Sequence, residues 1–186
     1  MDDPSRTQIR TAVAASAQRL KMPRLPLVYL QLRPGQLVDS ITAPGGPVDT
    51  LVTLRTNGEV GAIGVAGSGL DQLSRCIDLG VLDAVRVHGG WTLLDRSAAH
   101  LLDHAAGVAA INADVDAGGL LRGTRGGGNL SKTVVRPALV RDRRISSTVT
   151  GIAAPADITS TLNALDTDPV EPCWDELETL LPPQDR

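Results

Sequence analysis

The chain of 186 residues has no phenylalanine, a single tyrosine and two tryptophans, so its core has to be built from Leu, Val, Ile and Ala. Lysine is nearly absent too: Lys21 and Lys132 stand against sixteen arginines. The densest arginine stretch, Arg136 to Arg144, holds four and has no flanking aromatic on which a base could stack, which argues against a nucleic-acid groove. The two cysteines, Cys76 and Cys173, are too far apart for a metal motif and too few for a disulfide framework, so a reducing compartment is expected. The opening MDDPSRTQIRTAV lacks an apolar signal core, and no run reaches the roughly 18 apolar residues of a membrane span. These absences lead to the expectation of a cytoplasmic protein with neither membrane nor nucleic acid as a partner.

What is present is a globular composition. Apolar residues make up 42% and the formal net charge is −3, so the chain can bury a core and is not of the disordered class. The length fits one domain over residues 1–186. Nineteen glycines and twelve prolines imply many turns between strands and helices.

Taken in order, Asp3-Pro4-Ser5 starts a helix with Ile9, Val13, Ala17 and Leu20 at helical spacing. The near-continuous apolar run Leu27–Leu32 reads as a strand covered on both faces. Prolines and glycines between Pro34 and Pro47 mark a loose connection, and a helix over Val48–Thr56 stops at Asn57-Gly58. Strands follow at Gly61–Ala66, Ala84–Val87, Val108–Ala113 and Ser146–Thr150. Helices are expected over Leu70–Leu79, Arg96–Ala106, Pro155–Leu165 and Trp174–Leu181. The Gly-rich stretch Arg122–Lys132 lacks the Gly-Lys-Ser/Thr ending of a phosphate-cradling loop and reads as a loop, while Val134–Val140 forms a short helix or strand. Alternating strands and helices with short loops specify an α/β protein with about five parallel strands, either an open doubly wound sheet or an incomplete barrel.

Four segments in order carry a family resemblance. They are LRTNGEVGAIGV (Leu54–Val65), WTLLDR (Trp91–Arg96), AGGLL (Ala117–Leu121) and the stretch from Gly151 to Leu162. Together they resemble the aldo/keto reductases, in particular the sugar (aldose) dehydrogenase branch, over nearly the whole chain. The resemblance implies an incomplete TIM-type βα barrel corresponding to the C-terminal five βα units of that fold. It implies an ancestry in carbonyl reduction or alcohol oxidation with a nicotinamide cofactor. The family's acid tyrosine and its lysine and aspartate partners would lie upstream of Met1. The histidine of the family's "H-x-P" falls on Leu32 of Leu32-Arg33-Pro34, and leucine can neither donate a hydrogen bond nor exchange a proton. The cofactor's adenosine-phosphate arginine falls on Ala153. NADP is therefore expected only if the ancestral site survives, with Gly119, Leu120 and Gly151 as the residues that would touch it; no other cofactor and no metal is expected.

In barrels functional side chains gather at the C-terminal ends of the strands. The candidates there are His88, Asp114 and Asp116 as acid–base or orienting groups, and Trp91 and Arg33 as ligand contacts. The structural alternatives are a histidine satisfied by backbone, loop or capping aspartates, a packing tryptophan, and a solvated helix face for His100 and His104, which sit at i, i+4 without a third metal ligand. Tyr29 lies within a strand and reads as a core residue. The expected function is a degenerate relative of these reductases, repurposed for small-molecule binding or non-redox chemistry as a homo-oligomer or with a partner chain covering its open strand edges. The alternatives are an NAD(P)(H)-dependent aldose or carbonyl oxidoreductase completed by a partner chain or an N-terminal segment, and a non-catalytic assembly protein.

Overall fold

The computed structural model describes residues 4–92, 95–115 and 142–166. The strands are β1 (Leu25–Gln31), β2 (Val60–Gly67), β3 (Ala84–His88), β4 (Ala109–Ala113) and β5 (Ile145–Val149). The helices are α1 (Arg6–Leu20), α2 (Val38–Thr42), α3 (Pro47–Thr56), α4 (Leu70–Ile77), α5 (Ala99–His104) and α6 (Pro155–Asp166). The parallel strands form one sheet in the order β1-β2-β3-β4-β5. Each described strand neighbours the next in sequence, so among the described strands there is no point at which the order reverses, as there is in a doubly wound sheet. Of the two arrangements left open by the residues, the partial βα barrel is the one adopted. The chain divides into two compact units: Met1–Arg86 with His104–Ala109, and Val87–Asp103 with Ala110–Arg186.

In the first unit, Ser5 caps α1 with a reciprocal pair of bonds. Its hydroxyl accepts from the Gln8 N–H at 3.3 Å, and its own N–H donates to the Gln8 carboxamide at 2.7 Å. Strand β1 runs parallel to β2, from Leu25 opposite Val60 to Gln31 opposite Ala66. Along β2 the run Ile63–Gly67 is buried without interruption, as a strand covered on both faces has to be. Gly64 admits no side chain, because a Cβ there would stand 2.5 Å from the Ala84 carbonyl oxygen and 2.7 Å from the Tyr29 ring. The Asp83 carboxylate, just ahead of β3, accepts from the Ile63 N–H at 2.8 Å and from Arg55 at 2.6 Å. Arg55 also donates to the Val81 carbonyl at 2.9 Å, tying α3 to the β2 and β3 starts. Burial pulls the Asp83 pKa up, but the Ile63 amide and Arg55 outweigh it and hold the carboxyl below its ordinary value.

In the second unit β4 pairs in parallel with β5. The register slips by one residue between Ala110, opposite Ile145, and Ile111, opposite Ser147. Between β3 and α5 the chain makes a turn, with Thr92 N–H donating to the Asp95 carbonyl, Ser97 N–H to the Asp95 carboxylate and Ala98 N–H to the Gly90 carbonyl. These bonds hold residues 95–98 outside the helix, so the helix expected over Arg96–Ala106 is shortened to Ala99–His104. The sequence reading also lacks α2, whose five residues are too few to show a period. The helix expected at Trp174–Leu181 and the segments Arg122–Lys132 and Val134–Val140 lie outside the described residues. None of the described helices is long and apolar enough to cross a membrane.

Candidate functional site

The second unit brings three of the sequence candidates to one end of its strands. His88 is the last residue of β3 and half-buried, Asp114 directly follows β4, and Gly151 lies two residues beyond β5. The first two ends are linked through backbone, since Gly89 N–H donates to the Ala113 carbonyl at 3.1 Å. Gly89 and Gly90 both have positive φ, 70° and 72°, which lets the chain leave β3 in a tight reversal. Asp114 is itself left-handed at φ 62°, a conformation that a short polar side chain tolerates and that recurs where strand ends carry function. Asp116, Gly119 and Leu120 lie outside the described residues.

Trp91 is placed differently from an open ligand platform. It is 6% exposed, with the Arg96 guanidinium 4.5 Å and the Arg144 guanidinium 4.8 Å from its ring. Its carbonyl accepts from the Asn112 carboxamide at 2.9 Å, and Asn112 is 2% exposed. Arg144 in turn bonds Asp142 at 2.7 Å and Asp103 at 2.7 Å. The paired guanidinium holds the Asp142 carboxyl below its ordinary range, and the same bonds push Arg144 further up. Burial lowers the Arg96 pKa, with Asp142 opposing. Among the described residues of this unit, three buried polar atoms have no hydrogen-bond partner: the Trp91 indole Nε1, the Asn112 Oδ1 and the Thr148 Oγ1. Asn112 and Thr148 are register partners on β4 and β5.

At the start of α6 the amides of Ala153 and Ala154 both donate to the Asp157 carboxylate, each at 2.9 Å. A helix start of this kind is where an anion such as a phosphate binds. Here the chain's own carboxylate takes the two donors, and Ala153 has no charge to add. The described part of this segment does not fit the cofactor phosphate that the sequence resemblance implies.

In the first unit, Leu32 follows β1 with 3% exposure, donates its N–H to the Ala66 carbonyl at 2.7 Å, and packs its Cβ toward Gly67. Arg33 sits in the exposed turn after it, its N–H donating to Gln36 at 3.1 Å and its carbonyl accepting from Gln72 at 3.3 Å. Tyr29 is in mid-strand, with its hydroxyl buried and unpartnered and its pKa raised by burial against a smaller opposing effect of Arg86. His104 bonds Asp78 at 2.7 Å, and His100 is exposed. No group of three metal-ligating side chains occurs among the described residues. Cys76 is fully buried, and burial pushes its thiol up to about 11.

Sequence reasoning missed the Trp91–Arg96–Arg144–Asp142 cluster. Arg144 belongs to the arginine stretch weighed for nucleic acid, and the one available signal was its neighbour Asp142, which occupies the charge that a phosphate would need.

Comparison with known proteins accords with this architecture. The family model described as aldo/keto reductase family matches residues 1–167. A curated D-threo-aldose 1-dehydrogenase from a Pseudomonas species is 35% identical over 91 residues, which are 49% of this chain and 27% of that enzyme. Among solved structures, the holo form of an aldo-keto reductase from Bacillus halodurans superposes with a TM-score of 0.71 at 16% identity, over 97% of this chain and 69% of that one. A Pseudomonas aeruginosa protein described in the same terms superposes with a TM-score of 0.65 at 22% identity, over 89% of this chain and 60% of its own. The stretch shared with the dehydrogenase is thus about a quarter of that enzyme's length, while the family match takes in most of the present chain. This chain belongs to the aldo/keto reductase family.

Proposed function

We propose that this chain does not by itself reduce carbonyls with the family's usual catalytic set and instead binds a small molecule, with or without non-redox chemistry, at the C-terminal ends of β3, β4 and β5. The observation that carries the reading is Leu32. Where the sequence resemblance puts the family's histidine, the chain has a hydrocarbon side chain that is 3% exposed. A histidine there could donate a hydrogen bond to the reacting oxygen or exchange a proton beside the tyrosine acid, and no rotation of a leucine does either. The Asp157 carboxylate on the Ala153 and Ala154 amides adds support, because it would repel a cofactor phosphate at that helix start. At the other strand ends His88 and Asp114 offer a titratable ring and a carboxylate.

Titrating the purified chain with NADPH by fluorescence, beside native mass spectrometry of the chain as isolated, tests this. The expected outcome is no saturable NADPH binding in the micromolar range, and a bound small molecule whose occupancy drops in His88→Ala with the melting temperature unchanged. Tight NADPH binding together with turnover of an aldose would overturn it. The 35% identity to D-threo-aldose 1-dehydrogenase over half the chain favours a second reading, an NAD(P)(H)-dependent oxidoreductase completed by further polypeptide that supplies the acid.

A further inference from the structure

The chain has four asparagines, and Asn57 is the one followed by glycine. An asparagine carboxamide carbon can close a five-membered ring with the main-chain nitrogen of the next residue. Glycine leaves that nitrogen unshielded, because it has no Cβ. Asn57 and Gly58 are both exposed, so water reaches the pair.

The fold holds this pair in an unreactive arrangement. Asn57 is the C-cap of α3 with φ −75° and ψ −5°, and Gly58 follows in the left-handed region at φ 75°. The Gly58 N–H donates to the Arg55 carbonyl at 2.9 Å, and the Glu59 N–H to the Leu54 carbonyl at 3.0 Å. These are the two bonds of a Schellman cap, which fasten the last turn of the helix. Ring closure needs the Gly58 nitrogen eclipsed with the Asn57 Cβ about the Cα–C bond. At a tetrahedral carbon Cβ stands about 120° round from the main-chain nitrogen, so closure requires a ψ of about −120°. The observed −5° turns the Gly58 nitrogen away, and its proton is committed to Arg55. The carboxamide is held as well, its Nδ2 donating to the Glu59 carboxylate at 3.3 Å, and Glu59 accepts from Arg10 of α1 at 3.0 Å.

We propose that Asn57-Gly58 is a deamidation site gated by this cap, so that the folded chain converts it only while the end of α3 is open. In the open state the Gly58 nitrogen gives up its proton to water and bonds to the Asn57 Cγ. The Cγ–Nδ2 bond breaks, and ammonia leaves with a proton taken back from water. Water then opens the succinimide at either carbonyl, leaving aspartate or isoaspartate. One water is consumed and one ammonia released, with no oxidant or reductant. Either product hinders reclosure. Aspartate puts a carboxylate at a helix C-terminus, where the dipole disfavours it, and beside Glu59 in place of a donor. Isoaspartate lengthens the main chain by one carbon ahead of Gly58 and puts both cap donors out of register. The proposal is independent of the small-molecule reading, which concerns strand ends in the other unit.

The test incubates the full chain at mildly alkaline pH, folded in buffer and unfolded in guanidinium chloride above its midpoint. Mass spectrometry of the tryptic peptide Thr56–Arg75 reads conversion, and amide hydrogen exchange reads opening at Gly58 and Glu59. The folded chain is expected to convert about tenfold or more slowly than the unfolded one, because only the open fraction reacts. Isoaspartate should appear beside aspartate, since direct hydrolysis of the carboxamide gives aspartate alone. Thr56→Gly, at an exposed position in the last turn of α3, leaves the reacting pair intact. It should speed exchange and folded-state conversion together, by about twofold. Asn57→Asp should speed exchange at Gly58 and Glu59 by about twofold or more. Equal conversion folded and unfolded, no conversion in denaturant, or aspartate without isoaspartate would overturn the proposal. So would faster exchange in Thr56→Gly without faster conversion, and unchanged exchange in Asn57→Asp would overturn the hindered reclosure.

Discussion

The end of β1 and the end of β4 occupy equivalent places in two βα repeats, yet they are built to opposite purposes. After β1 comes Leu32, buried, its N–H spent on the ladder to β2. After β4 comes Asp114, exposed and left-handed, with the polar Asn112 buried two residues before it. The first end has become core, and the second keeps polar groups at a cost in backbone strain and unpaired atoms. In this fold strand ends are where functional side chains gather, and the contrast is the one on which the proposed small-molecule site in the second unit rests.

Substitutions can break or sharpen that contrast. The largest effect is expected at Leu32→Ala, which should cost about 2–4 kcal/mol of stability in urea unfolding, as truncation of a packed leucine does. A cost below about 0.5 kcal/mol would show that Leu32 is not a core residue, and the contrast would fail. Asn112→Ala should cost about 1–3 kcal/mol, because it removes the donor to the Trp91 carbonyl within a buried site. Its effect is smaller than a lone lost hydrogen bond implies if deleting the unpartnered Oδ1 gives back part of the desolvation penalty.

The smallest expected effect is on pH dependence. The Asp83, Asp95 and Asp142 carboxyls are all held below their ordinary values in the folded chain, Asp95 chiefly by the Ser97 amide. For such groups the unfolded chain binds protons first. Their stabilisation is complete above the unfolded carboxyl pKa of about 3.9 and is lost as pH falls through the folded value. Melting temperature should therefore be flat near neutrality and fall below about pH 4. Asp142→Asn should flatten part of that fall, since it removes the acceptor of Arg144 beside Trp91.

Much of the fold was legible from local pattern. Each expected strand overlaps an observed one, because an apolar run between turn residues has few other solutions in an alternating chain. Ser5 could be read as a helix start because its bonds reach only to Gln8. The site was legible in part: His88, Asp114 and Gly151 were placed at strand ends by order alone. The burial of Trp91 was not readable, because it depends on Arg144, 53 positions along the chain from it. The Asp157 carboxylate on the Ala153 and Ala154 amides was also missed, although it is local, since a first-turn aspartate looks the same whether it caps its own helix or faces solvent.

By itself, the sequence determined the alternation of strands and helices and the family, because these rest on residue identity and short-range period. Only the tertiary structure decided that Leu32 is sealed into the core and that Trp91 is buried against two guanidinium groups. Burial and pairing are properties of what packs against a residue, and for these two the partners come from elements that local spacing does not connect.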